Sequence, residues 1–156
     1  MKKLLLTLCL FLLFCGNIFA AAGTSKISPP TFYYIQGQPG RATLTITWTG
    51  STDDGSVPSL TIPIPSNNLS GWYFYTVEVD PGSTPTNGYA VTMKNSRGLD
   101  LCGGLLSSLS STATAIYDIG LGIPGFPVVT EDLTFALTGN ADTSSGGELI
   151  LTFTSN

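Results

Sequence analysis

Apolar and polar residues alternate along most of this chain beyond its first twenty positions. In "RATLTITWT", residues 41–49, Leu44, Ile46 and Trp48 fall on one face, and Thr43, Thr45, Thr47 and Thr49 on the other. That period of two belongs to a strand with one face buried and one face in water. "DLTFALTG" repeats it through Leu133, Phe135 and Leu137, and "ELILTFT" through Leu149, Leu151 and Phe153. Six more strands are expected, at residues 31–36, 59–64, 71–80, 89–94, 99–102 and 111–119. Pro63 and Pro65 donate no ladder hydrogen bond, so the segment near them is expected at a sheet edge. "GGLLSSLSS", residues 103–111, spaces Leu105, Leu106 and Leu109 for one turn of helix.

About nine short strands punctuated by Gly, Pro and Asn predict an all-β fold. The expected form is a single antiparallel β-sandwich, Ig-like or jelly-roll-like, with a closed barrel as the second option. In "GWYFYTVEVD" the alternation places Tyr73, Tyr75, Val77 and Val79 inward, and Trp72, Phe74, Thr76, Glu78 and Asp80 outward. Pro81 and Pro85 then interrupt pairing, and Gly82 and Gly88 permit turns. "YAVTMK" is expected to return beside that strand with Tyr89, Val91 and Met93 inward, and "NSRG" to reverse into "LDLC", giving a three-stranded meander. The expected core is Leu44, Ile46, Trp48, Tyr73, Val77, Val91, Leu133, Phe135, Leu149, Leu151 and Phe153. "DPGSTPTNG" is expected to be a structural connection that tolerates shortening at residues 83–86, with Asp80 bonding turn amides and Gly88 at a positive backbone angle.

The first segment follows another rule. Lys2 and Lys3 precede an apolar run, residues 4–14, and then Ala20, Ala21 and Ala22, the order of a secretory signal peptide. Its apolar part is short for a membrane span. Residues 1–20 are thus expected to form a signal helix, removed after Ala20 or Ala22, and residues 21–156 one domain. The protein is then exported, to periplasm or exterior, with no stable membrane insertion afterwards. Six basic residues less Lys2 and Lys3 leave four against ten acidic, a formal charge of −6. Four scattered cations supply no phosphate-binding cluster, which argues against nucleic acid as a partner. Cys102 is the one cysteine left, so no internal disulfide is expected.

"GWYFYTVEVDPGSTPTNGYAVTMKNSRGLDLCGG" resembles a group of small β-rich virion structural proteins of tailed bacteriophages and prophages. The resemblance lies in the aromatic strand at residues 72–75, Asp80-Pro81, Pro85-Thr86-Asn87, Tyr89, Gly98-Leu99-Asp100 and Gly103-Gly104. Ala90 stands where that group has Asp. The resemblance implies a structural role, virion-associated, and brings no catalytic residues.

Chemistry finds little purchase here. The chain has no histidine, which removes Ser-His-Asp and Cys-His nucleophile systems and imidazole zinc sites. Carboxylate pairs at Asp53-Asp54, Glu78/Asp80 and Glu131-Asp132 lie at turns or strand ends, where solvation explains them. "GLGIPG" carries Gly120, Gly122 and Gly125 in a dinucleotide-like spacing, but its prolines favour an irregular turn over the helix that motif requires. No cofactor is expected. Trp48, Trp72 and Tyr34 are candidates for stacking a sugar. Glu78, Asp80 and Asp100 are candidates for an oxygen-lined calcium site. Two functions follow: a non-enzymatic structural or interaction module with protein partners in an assembly, itself a possible homo-oligomer, or a secreted module that binds a surface glycan.

Overall fold

The computed structural model describes residues 21–83, 85–122 and 126–155. The expected signal helix at residues 1–20 lies outside them. Ten strands follow in order: β1 (Thr24–Ile27), β2 (Thr31–Tyr33), β3 (Arg41–Thr49), β4 (Leu60–Ile62), β5 (Trp72–Ser83), β6 (Ala90–Lys94), β7 (Ala115–Asp118), β8 (Val128–Val129), β9 (Leu133–Thr138) and β10 (Gly146–Thr154). A one-turn helix, α1 (Ile119–Gly122), follows β7.

Two antiparallel sheets result. The wide sheet has five positions: β1 and β2 share the first, then β3, β10 and β5, and β7 with β8 share the last. The narrow sheet is β4-β9-β6. From β3 onward every connection except β7 to β8 carries the chain from one sheet to the other. The strand orders β3-β10-β5-β7 and β4-β9-β6 are those of a jelly roll lacking one outer strand. Residues 100–109 occupy that place beside β6. They are held by Leu101 N–H to Met93 O at 2.8 Å, Val91 N–H to Leu106 O at 3.0 Å and Leu109 N–H to Tyr89 O at 2.7 Å.

The two sheets close over one core. Leu44, Ile46 and Trp48 of β3, Leu149, Leu151 and Phe153 of β10, and Phe74, Val77 and Val79 of β5 meet Ile62, Leu133, Phe135, Leu137, Val91 and Met93 of the narrow sheet. Loop residues Ile64, Leu69, Leu106 and Leu109 are buried with them. All the expected core residues are buried except Tyr73, which is half-buried.

The exception has a physical cause. Thr152 pairs with Thr76 but Phe153 pairs with Phe74, so Tyr75 is an extra residue in β5. This bulge reverses the alternation on its N-terminal side. Phe74 therefore joins the core, stacked on Phe153 with centroids 5.2 Å apart, and Tyr73 turns out. A second shift, between Glu148 and Gly146, carries β5 through Pro81 to Ser83. The expected meander does not form, because β5 lies in the wide sheet and β6 in the narrow one.

Other boundaries move too. β2 stops at Tyr33, ahead of a turn closed by Gln38 N–H to Ile35 O. Residues 99–102 make a single bridge, Lys94 to Asp100, instead of a strand. Residues 102–107 close tight turns, Leu105 N–H to Cys102 O and Ser107 N–H to Gly104 O, where a helical turn was expected. The "GLGIPG" segment opens with α1, where an irregular turn was expected, and Gly125 lies outside the described residues. β4 pairs with β9 alone and is an edge, as Pro63 and Pro65 require.

Trp48 and Tyr89 touch in the core with ring centroids 5.8 Å apart. The Trp48 indole nitrogen and the Tyr89 hydroxyl are buried with no hydrogen-bond partner among the described residues. Burial pushes the Tyr89 phenol up from 10.0 to about 12. The folded state thus retains that proton where the unfolded chain begins to lose it. Its contribution to stability is complete below pH 10 and is lost as pH rises toward 12. Tyr89→Phe is expected to raise stability by about 1 kcal/mol at neutral pH, because it removes a buried hydroxyl without a partner. It is also expected to flatten the alkaline fall, as read by urea midpoints across pH 8 to 12. Phe74→Ala is expected to cost about 3–5 kcal/mol and Tyr73→Ala less, which checks the bulge by the same measurement.

Candidate functional site

The outer face of the wide sheet is set by the same alternation that fills the core. Every residue flanking a buried one on β3 and β10 points away from the core, and most are threonine. β-Branched side chains suit a pleated surface, and their hydroxyls keep it wet. Strand register aligns them in rows: Lys26, Thr47, Glu148, Asp80; then Thr45, Ile150, Glu78, Ile116; then Thr31, Thr43, Thr152, Thr76, Asp118; then Tyr33, Arg41, Thr154, Tyr73, Val128. Neighbours in a row lie about 4.8 Å apart and successive rows about 6.7 Å. Ile116 is 68 % exposed at the rim.

Aromatic residues gather at one end of the sandwich. On the outer face Arg41 sits over the Tyr75 ring at 5.9 Å, and Tyr75 meets Phe126 at 4.9 Å. On the core side Trp72 meets Phe32 edge-on at 5.6 Å, and Tyr34 stacks on Phe32 at 6.3 Å. The three sugar candidates thus separate. Trp48 is 3 % exposed and presents no face to a ligand, Trp72 is half-buried against Phe32, and Tyr34 is 73 % exposed. Of the three, Tyr34 alone presents an open ring, and Trp48 presents none.

The calcium candidates are also apart. Glu78 and Asp80 lie on β5 in the wide sheet, whereas Asp100 lies beside β6 in the narrow one. Asp80 accepts from Gly82 N–H at 2.9 Å, the expected turn contact. Asp100 is an anchor: its carboxylate accepts from the amides of Met93, Cys102 and Gly104 at 3.0, 3.2 and 3.0 Å. No three acidic or cysteine side chains converge as a metal set among the described residues. Asp54, at a turn, accepts from the Ser51 hydroxyl at 2.5 Å, and that bond with those from Ser56 holds its carboxyl down to about 2. Cys102 is buried, and burial pushes its thiol pKa up, away from nucleophilic use.

A cleft of about 220 Å³ lies beside the 95–98 turn, lined by Asn95, Arg97, Leu101, Thr130, Glu131 and Leu133. It is smaller than the 300–1,000 Å³ usual for small-molecule sites. Glu131 accepts a hydrogen bond there from Ser96.

Sequence reasoning missed one polar cluster, at the end of the sandwich where three loops meet. Asn140 donates to Gly55 O at 2.6 Å and to the Ser145 hydroxyl at 2.9 Å, and accepts from Thr86 N–H at 3.1 Å. The Thr86 hydroxyl accepts from Ala141 N–H at 2.8 Å and donates to Asp142 at 2.9 Å. Thr86 is therefore a tie between loops, which corrects the expectation that residues 83–86 are dispensable. Gly88, at φ +86°, supplies the turn as expected.

The sheet edges are short or broken. Pro29 and Pro30 separate β1 from β2, α1 and Pro127 separate β7 from β8, and Pro58 and Pro63 flank β4. These breaks discourage strand addition. The outer face, by contrast, is continuous.

No family model and no curated protein matches the chain. Among solved structures it aligns with a chain of the Cyanophage Pam1 capsid asymmetric unit at 16 % identity, over 90 % of each chain, with a TM-score of 0.36. A score that low does not establish a shared fold and carries no functional argument.

Asn140→Ala is expected to cost about 2–3 kcal/mol in urea unfolding, because it strands buried partners in two loops. Deleting residues 83–86 is expected to destabilise by at least as much. Calcium titrated into the protein is expected to give no heat at micromolar concentrations, and an isotherm lost in Asp80→Ala would contradict that.

Proposed function

We propose that this chain is a non-enzymatic structural and interaction module, exported or virion-associated, that joins protein partners through the outer face of its wide sheet. The observation that carries this is the continuous outward-facing row pattern of threonines around Ile150 and Ile116, set beside edges that are all interrupted. Jelly rolls serve in viral capsids and lectins among other settings, so the fold is compatible by analogy alone. The resemblance of residues 71–104 to virion structural proteins points the same way.

A second reading, a carbohydrate- or cell-surface-binding module, is favoured by the exposed rings of Tyr34 and Tyr33. A glycan array separates the two. The interaction reading expects no specific glycan signal, and it expects partner binding to fall at least about tenfold in Ile150→Asp. A defined glycan whose binding is lost in Tyr34→Ala would replace it.

A further inference from the structure

Charge is distributed unevenly across that face. Its cations, Lys26 and Arg41, lie on β1 and β3, and its anions, Glu148, Glu78, Asp80 and Asp118, lie on β10, β5 and β7. Threonines and Ile150 fill the middle. We infer that the face pairs with the same face of a second copy of this chain, about a two-fold axis parallel to the strands and between β3 and β10. This rests on the reading of the face as an interaction surface and names the partner.

Register fixes what meets. Such an axis keeps each row at its own level and exchanges its ends, so β1 lies over the second copy's β5, and β3 over its β10. Lys26 then faces the second copy's Asp80, and Thr47 its Glu148. Thr45 brings its methyl to Ile150, and Thr43 meets Thr152. Arg41 lies over Thr154. Each contact occurs twice by symmetry, and no two like charges oppose each other. A copy laid with β1 over β1, about an axis across the strands, would instead turn the cationic side toward the cationic side and the anionic side toward the anionic side.

Packing geometry and area agree with this pairing. Two sheets stack about 10 Å apart with strands within about 30°. Lysine at the rim has the stem length to close the gap that twist opens there. The four strand positions that overlap, by four rows, cover on the order of 500 Å² per copy. Twice that lies at the lower limit of a specific interface, and corresponds to a dimer that exchanges with monomer. Polar rows of this kind make such a contact sensitive to salt.

Sedimentation equilibrium of the purified protein tests the inference. At low salt a monomer–dimer equilibrium is expected, with a dissociation constant that rises at least about tenfold in about 0.5 M salt. Lys26→Glu alone and Asp80→Lys alone are each expected to weaken it about tenfold or more. An equimolar mixture of the two variants is expected to associate again, because both contacts in the mixed dimer are then between opposite charges. Thermal melts report whether each variant is folded. Should Asp80→Lys fail that check, Ile150→Asp, at the centre of the face, is expected to leave a folded monomer. A wild-type protein that stays monomeric at about 100 μM overturns the inference and leaves the interaction reading standing with another partner. A dimer that Ile150→Asp does not weaken, or that the mixture of folded variants does not restore, also overturns it.

Discussion

The wide sheet has more apolar surface on its inner side than three short strands can cover. Rows such as Ala42, Phe153, Phe74 and Leu44, Leu151, Val77 run across its centre, and burying them is the dominant favourable term in the fold. The narrow sheet reaches only part of that surface, because β4 has three residues and β6 five. The rest is covered by loops. This shortage explains why Ile64, Leu69, Leu106, Leu109 and Ile119, none of them on a strand, are buried.

A core closed by loops needs those loops held in place, and polar side chains do this. Asp100 fixes the 100–109 segment by accepting from amides on both sides of its turn. Asn140 and Thr86 tie the segments around Gly55 and Ser145 across the far end. A carboxylate or amide whose oxygens accept from backbone donors is a structural part of the fold. Asp100, chemically promising when read along the sequence, therefore has a structural task in the fold. Cys102, which sits on the Asp100 segment, is likewise sealed by it.

The outer face carries the only regular chemistry that the domain offers over a large area of its described residues. Its threonines arise from the demand for β-branched residues in strands whose other face is packed. They are therefore explained by folding without any ligand. Their arrangement in register, with cations at one side and anions at the other, is a further property that folding does not require. An unbroken face beside interrupted edges favours association by stacking over association by strand addition.

Period-two patterning made the class of fold legible from residues alone, as well as the inward set on β3, β9 and β10, where nothing disturbs alternation. Leu44, Ile46, Trp48, Leu133, Phe135, Leu149, Leu151 and Phe153 needed no tertiary information. β5 did, because a bulge is a property of two paired strands: the extra residue at Tyr75 exists only relative to Thr152 and Phe153. Alternation read along one strand therefore exchanged Tyr73 for Phe74. The β5–β6 meander failed for a related reason, since local turn signals show that the chain reverses but not which sheet it reverses into. Candidate sites suffered most. Glu78, Asp80 and Asp100 are near in sequence and lie on different sheets, whereas Thr86 and Asn140 are far in sequence and share a hydrogen bond. The sequence by itself determined which residues are buried on the regular strands. The tertiary structure alone decided which polar residues meet, because hydrogen bonds and charge rows depend on strand register and loop closure, which have no local signature.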